Sequence, residues 1–306
     1  MARNYLSVDD LAPGELSSIL ELSERLKADP AAYADRMRGR SVALVFEKPS
    51  TRTRVSFEVG VAELGAHPLV ISSSDLQLGR GETIEDTGRV FSRYVDAIVL
   101  RTFEQERLEL LASAATVPVI NSLSDFEHPC QALADLFTVR ERLGGLGGRT
   151  LSYLGDGNNV AHSLLLAGAK AGMRVRVAAP PGFEPIPQVV NRAAEIASET
   201  GGSVEVLHDP MDAARDADVL YTDAWASMGQ EAETDERELV FRSYQIDEKL
   251  VGTASPDVVV LHCLPAHRGM EITDEVIDGP RSAVWDQAEN RLHTQKALLL
   301  FLFDLA

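Results

Sequence analysis

Two stretches of this chain gather polar chemistry just past apolar runs. In the first, Lys48-Pro49-Ser50-Thr51-Arg52-Thr53-Arg54 follows the run Ser41 to Glu47 and leads into Phe57, Val61 and Leu64 at helical spacing. That pattern predicts a helix starting near Thr51. Ser and Thr there cap free backbone N–H groups, but Arg52 and Arg54 set positive charge at the positive end of the helix dipole. Left alone, this is unfavourable by roughly a few tenths of a kcal/mol per charge. A bound anion reverses the sign, because N–H groups, hydroxyls and guanidinium forks all converge on phosphate oxygens. The bland alternative is a capped helix with solvated arginines. A Walker loop is ruled out, since its glycines and GK[ST] ending are missing.

Further polar residues fall beyond other apolar runs of the same half. Arg101 closes Ala97 to Leu100, and His128-Pro129-Cys130-Gln131 follows Pro118 to Asn121, with Pro129 suited to the first position of a helix. In open parallel sheets ligands bind outside the carboxyl ends of strands, so Arg52, Arg101, His128 and Gln131 are expected to share one edge.

The second half repeats the pattern with different chemistry. Thr150 to Leu154 ends in Gly155-Asp156-Gly157-Asn158-Asn159, Val219 to Tyr221 leads to Asp223 through Ser227-Met228-Gly229, and Val258 to Leu261 leads to His262-Cys263-Leu264-Pro265. A carboxylate, amides, a hydroxyl and a thiol at one rim suit a zwitterionic amino acid. Asp223 would take an ammonium group, Asn159 and Ser227 the polar ends, and Cys263 would lie near the reacting amine. Three competing readings fare less well. Gly155-Asp156-Gly157 could open a dinucleotide fingerprint, but Val160 stands where the third Gly or Ala belongs, and Pro180-Pro181 replaces the acidic ribose ligand. His262, Cys263 and His267 could hold zinc, yet a fourth ligand and a paired CxxC are lacking. Cys263 could be a covalent nucleophile, or simply a small buried hydrophobe at a strand end.

Positioning these residues is the work of short Val/Ile/Leu runs that alternate with segments of helical period, which predicts βαβ units and buried parallel sheets. The fold class expected is α/β, with two doubly wound parallel-sheet domains and an active site between them at the carboxyl ends of the strands. Expected strands are Ser41 to Glu47, Pro68 to Ile71, Ala97 to Leu100 and Pro118 to Asn121. A second series follows: Thr150 to Leu154, Arg174 to Ala178, Ser203 to Leu207, Val219 to Tyr221, Val258 to His262 and Ala283 to Trp285. A helix over Gln131 to Leu143 and the cluster Gly144-Gly145-Leu146-Gly147-Gly148 mark a hinge. The domains are therefore expected at 1–140 and 141–286, with a tail helix, 287–306, folding back onto the first.

Composition narrows the class. With 306 residues and 45% hydrophobic content, the chain can bury more than one core. Its net charge of −18 argues against a nucleic-acid surface, and no apolar run approaches the ~20 residues of a membrane span. Two cysteines far apart suit a reducing cytoplasm. Of 29 basic residues five are lysine (Lys27, Lys48, Lys170, Lys249 and Lys296), and this acidic, lysine-poor balance points to high salt, where screening weakens self-repulsion.

The combination of motifs resembles the aspartate/ornithine carbamoyltransferases over nearly the whole chain. The resemblance is carried by Phe46 to Arg54, His128-Pro129-Cys130-Gln131, Asp223 through Ser227-Met228-Gly229, His262-Cys263-Leu264-Pro265 and Ala288-Glu289-Asn290-Arg291. The third and fourth look like the ornithine branch. By that resemblance, Ser50, Thr51, Arg52, Thr53, Arg101, His128 and Gln131 hold carbamoyl phosphate, and Gln77 reaches a neighbouring subunit's site. Asn159, Asp223, Ser227 and Met228 hold the acceptor, while Cys263, Leu264 and Arg291 complete the reacting centre. The implied catalytic set is Cys263, Arg101, His128 and Arg52. The expected reaction is carbamoyl transfer to the δ-amine of ornithine, giving citrulline and phosphate, with no metal or organic cofactor and with catalytic trimers. A related amine such as putrescine or N-acetylornithine is the nearest alternative, and a non-catalytic binding regulator the alternative of another class.

Overall fold

In the computed structural model, residues 2–72, 81–225 and 234–306 are described. The chain divides into two compact units, Met1–Ala134 with Glu289–Ala306, and Asp135–Ala288. The first contains, in order, α1 (Pro13–Ala28), β1 (Ser41–Phe46), α2 (Thr51–Glu63), β2 (His67–Ser72), α3 (Ile84–Phe91), β3 (Ala97–Arg101), α4 (Gln105–Ala114) and β4 (Val119–Leu123). The unit boundaries fall inside α5 (Pro129–Leu143) and α12 (Val284–Leu302). Unit 2 holds β5 (Thr150–Leu154), α6 (Asn159–Lys170), β6 (Arg174–Ala178), α7 (Pro187–Thr200), β7 (Ser203–Leu207), α8 (Pro210–Ala214), β8 (Val219–Thr222), α9 (Thr234–Phe241), α10 (Glu248–Val251), β9 (Val259–His262) and α11 (Asp274–Ile277).

Every strand pairing between these elements is parallel. Unit 1 has the strand order β2-β1-β3-β4 and unit 2 the order β7-β6-β5-β8-β9. Each sheet starts in its interior, grows to one side, then reverses. The reversal lies between β1 and β3 in unit 1 and between β5 and β8 in unit 2. Loops leaving the two strands of such a switch point diverge to opposite faces and open a crevice at the carboxyl ends. Central strands are buried without alternation, as cover on both faces demands: Val42 to Phe46 and Ala97 to Leu100 are apolar throughout, and Thr150 to Leu154 is buried although it includes Thr150 and Ser152. Each fully buried Val or Leu contributes about 1.5–3 kcal/mol. Edge strand β2 alternates between half-buried and exposed instead.

One local feature departs from expectation. Ala283 to Trp285 forms no strand. Ser282 makes a lone bridge to Val260, whose N–H donates to Arg281 O at 2.9 Å, and the chain then enters α12 at Val284. The apolar pair Val284-Trp285 opens a 19-residue helix, whose length and period override a two-residue β preference. At the other end, Tyr5 bridges Ile120, donating its N–H to Val119 O at 2.9 Å and accepting from Asn121 N at 2.8 Å. The N-terminal segment thus covers the free edge of β4.

Candidate active site

In unit 1 the switch point collects positive charge. Ser50 is the N-cap of α2, its Oγ accepting from Thr53 N at 3.3 Å, so the first turn's remaining N–H groups point past the end of β1. Phe46 and Arg101 are paired in register, and Glu47 N donates to Arg101 O at 2.9 Å, placing the Arg101 side chain beside the turn. A register shift between Leu100 and Arg101 on the β4 side marks this strand end. α5 begins at Pro129 directly after His128, and Gln131 N donates to His128 O at 3.0 Å. Arg291, from α12, ties two of these elements together: Nη1 donates to Gln131 Oε1 and Nη2 to Thr53 Oγ1, each at 2.6 Å. Arg101, His128, Gln131, Thr53 and Arg291 are all buried, and Arg52 is half-buried.

The charges leave this pocket strongly basic. Burial, reinforced by the guanidiniums of Arg291, Arg101 and Arg52, holds His128 well below the usual histidine range, so its imidazole is neutral at pH 7. Lys48, missing from the expected set, belongs to the same neighbourhood. Burial and then Arg101 lower its pKa, while its Nζ lies 4.0 Å from the centroid of the Phe103 ring. Glu47 does not cancel this charge, because Arg107 Nε donates to its Oε2 at 3.1 Å and the Thr102 hydroxyl also binds it. Glu127, fully buried beside His128, was likewise missed. Its carboxylate accepts from Val8 N at 3.0 Å and from the Ser7 hydroxyl, anchoring the loop before α5. The signal was an acidic residue abutting His-Pro-Cys-Gln.

In unit 2 the switch point is built on a carboxylate. Asp223 Oδ1 accepts from Ala224 N at 2.8 Å and from the Cys263 thiol at 2.9 Å, and Oδ2 accepts from Asn158 Nδ2 at 3.1 Å. Asn158 also caps α6, its Oδ1 accepting from Val160 N at 2.9 Å and Ala161 N at 3.3 Å. Asp223 is therefore fixed through Asn158 to the N-terminus of α6. The expected amide, Asn159, is the half-buried first residue of that helix, one position beyond the one that bonds Asp223. A Cβ on Gly157 would lie 2.2 Å from Pro185 N, so close chain approach accounts for this glycine without a dinucleotide.

A second carboxylate, Asp156, is neutralised nearby. Burial raises its pKa, while Arg237, whose Nη1 donates to Asp156 Oδ2 at 2.8 Å and to Trp225 O at 2.7 Å, opposes the rise. Beyond β9, Cys263 is half-buried and Leu264 adopts a left-handed φ of 59°. Leu264 N donates to His262 Nδ1 at 2.8 Å, and His262 Nε2 meets Glu271 Oε1 at 3.1 Å, which assigns the ring proton to Nε2. Donor atoms of Asp223, His262 and Cys263 lie within 4.8 Å of one another, but a metal there would compete with the Leu264 N–H for His262. His267, the other zinc candidate, places its backbone N–H on Glu271. Gln77, Ser227 and Met228 lie outside the described residues.

Comparison with known proteins assigns the same division of labour. Residues 3–141 match the model of the aspartate/ornithine carbamoyltransferase carbamoyl-P binding domain, and residues 147–302 that of the Asp/Orn binding domain. The chain is 65% identical to an ornithine carbamoyltransferase of Parafrankia sp. (strain EAN1pec), covering 99% of this chain and 96% of that protein. It is 61% identical to one of Acidothermus cellulolyticus, covering 100% and 98%. Among solved structures, the ornithine carbamoyltransferase of Pyrococcus furiosus superposes with a TM-score of 0.95 at 55% identity, covering 98% of this chain and 96% of that one. That of Thermus thermophilus gives 0.89 at 43%, covering 99% of each. With both domain models matched in order and full-length relatives above half identity, the chain belongs to the aspartate/ornithine carbamoyltransferase family.

Proposed function

We infer that the chain transfers the carbamoyl group of carbamoyl phosphate to the δ-amine of L-ornithine, giving L-citrulline and phosphate. The observation that carries this reading, beside the full-length likeness to ornithine carbamoyltransferases, is the pair of switch points of opposite charge. One is an arginine-lined anion pocket with a neutral imidazole, and the other a carboxylate bonded to a thiol and an amide.

The residue roles follow from these surroundings. Ser50, Thr51, Arg52 and Thr53, with the first turn of α2, bind the phosphate oxygens and take up charge as phosphate departs. Arg101, neutral His128 and Gln131 polarise the carbamoyl carbonyl, with Arg291 holding Gln131 and Thr53 in place. Asp223, Asn159, Ser227 and Met228 hold ornithine. In the reaction the amine loses a proton, its nitrogen bonds to the carbamoyl carbon, and the bond from that carbon to the phosphate oxygen breaks. Cys263 and Asp223 orient the amine and accept from it, and Leu264 sits beside them. A Cys263 thiol outside any disulfide suits the reducing cytoplasm, where arginine metabolism would use the product.

A homotrimer is the assembly the family likeness supports, with Gln77 of one copy reaching its neighbour's site. Val55 and Val59 on α2 and Leu69 on β2, all exposed and apolar, are consistent with buried contacts between copies. The net charge of −18 supports activity at high salt.

Citrulline formation with ornithine, set against aspartate, putrescine and N-acetylornithine at low and molar salt, tests the reading. Turnover with ornithine alone is expected. Absence of turnover with every amine leaves a binding protein instead, and light scattering at the mass of one chain sinks the trimer.

A further inference from the structure

Behind the Cys263–Asp223 pair lies a buried amide that the proposed chemistry does not use. β9 is an edge strand, so its outward N–H groups have no neighbouring strand to meet. Arg281 O takes that of Val260, but the next outward one, on His262, is taken by a side chain: Gln287 Oε1 accepts from His262 N at 2.9 Å. The same amide donates from Nε2 to Asp135 Oδ1 at 2.7 Å and to Tyr221 Oη at 3.2 Å. Gln287, His262, Asp135 and Tyr221 are each no more than 1% exposed. His262 immediately precedes Cys263, and Tyr221 lies two residues before Asp223. One amide thus bonds the ends of both strands that carry the thiol and the carboxylate. It joins them to α5 through Asp135, and Arg142 on α5 also pairs with Asp286 on α12.

We propose that Gln287 is a positioning residue that holds Cys263 and Asp223 at hydrogen-bonding distance and so sets the geometry in which the acceptor amine is oriented. This inference rests on the roles proposed above for Cys263 and Asp223. Its physical basis is that the amide satisfies one acceptor and two donor demands in a dry core, where an unmet N–H forces strand ends to shift. A shift of about 1 Å is enough to lower a rate by about 10²-fold.

Iodoacetamide alkylation of Cys263 in the intact, substrate-free protein reads this geometry without relying on turnover. Cys130 stays silent near pH 7.5, being fully buried with its thiol pushed up to about 12. A thiol that donates to a carboxylate is held protonated, so releasing it speeds alkylation. Gln287→Met is expected to alkylate several-fold faster than wild type, towards the rate of Asp223→Asn. Its KM for ornithine should rise about tenfold while that for carbamoyl phosphate stays unchanged. Gln287→Glu keeps an acceptor for the His262 N–H but turns a second carboxylate towards Asp135 Oδ1, so it is expected to move both readouts in the same direction as Gln287→Met. If Gln287→Met does not fold, Asp135→Leu, which removes the acceptor of Gln287 Nε2 at similar volume, is read the same way. Wild-type alkylation together with unchanged KM values, or an equal rise in both KM values, overturns the proposal. Unchanged turnover in Cys263→Ala would instead sink the role given to Cys263, leaving the alkylation comparison standing.

Discussion

The two switch points share a topology and differ in almost everything else. In unit 1, β1 and β3 deliver Arg52 and Arg101 beside Arg291 and a histidine kept neutral by burial and by those same charges. In unit 2, β5 and β8 deliver Asn158 and Asp223 beside the thiol that follows β9. A parallel sheet therefore supplies a place for a ligand and leaves its charge open, and the few residues after each strand supply the sign. The supporting contacts differ too. Arg291 links the basic pocket by side-chain bonds to residues 160 and 238 positions away, whereas Asp223 is tied to a helix cap and to the backbone N–H of Ala224.

The contrast can be broken by substitutions that remove charge from one pocket at a time. The largest effect is expected for Arg52→Ala, which removes a cation from the anion pocket. Steady-state kinetics should show kcat/KM for carbamoyl phosphate falling about 10²–10³-fold, with the ornithine KM little changed and Tm preserved. A normal carbamoyl phosphate KM would remove Arg52 from the site. Asp223→Asn, nearly isosteric, should weaken ornithine by about 10²-fold and spare carbamoyl phosphate. Equal losses for both substrates would erase the division between the units.

A pH series sharpens the comparison. Because the folded pKa of His128 lies below its unfolded value, stability is full above about pH 6.5 and declines as pH falls below it, by at most about 1.4 kcal/mol per pH unit. His128→Asn removes that term, so denaturant unfolding at pH 7 and pH 5 should show a smaller loss in the variant than in wild type. Identical losses would mean that His128 is not held neutral. The smallest effect is expected for Asn158→Ala, about 1 kcal/mol of stability from the lost cap and a few-fold rise in ornithine KM. A Tm change without any KM change would reduce Asn158 to a cap alone.

Much of the architecture was legible because it is local. Uninterrupted apolar runs announced the parallel strands, and Ser50 and Pro129 marked where α2 and α5 begin. Misreadings arose where a single position decides. Ala283 to Trp285 looked like a strand because three residues cannot express a helical period, and the bond from Asn158 to Asp223 was not legible because two adjacent amides are equivalent as letters.

By itself, then, the sequence determined that one half carries a capped turn rich in arginine and hydroxyls and the other an acidic and thiol-bearing rim, since caps and dipoles act within a few residues. Only the tertiary structure decided that Arg291 bonds Thr53 and Gln131, that Asn158 holds Asp223, and that Gln287 closes the edge of β9. Those contacts join residues 25 to 238 positions apart. A hydrogen bond over that range depends on side-chain direction at ångström precision, which backbone packing sets and residue spacing does not encode.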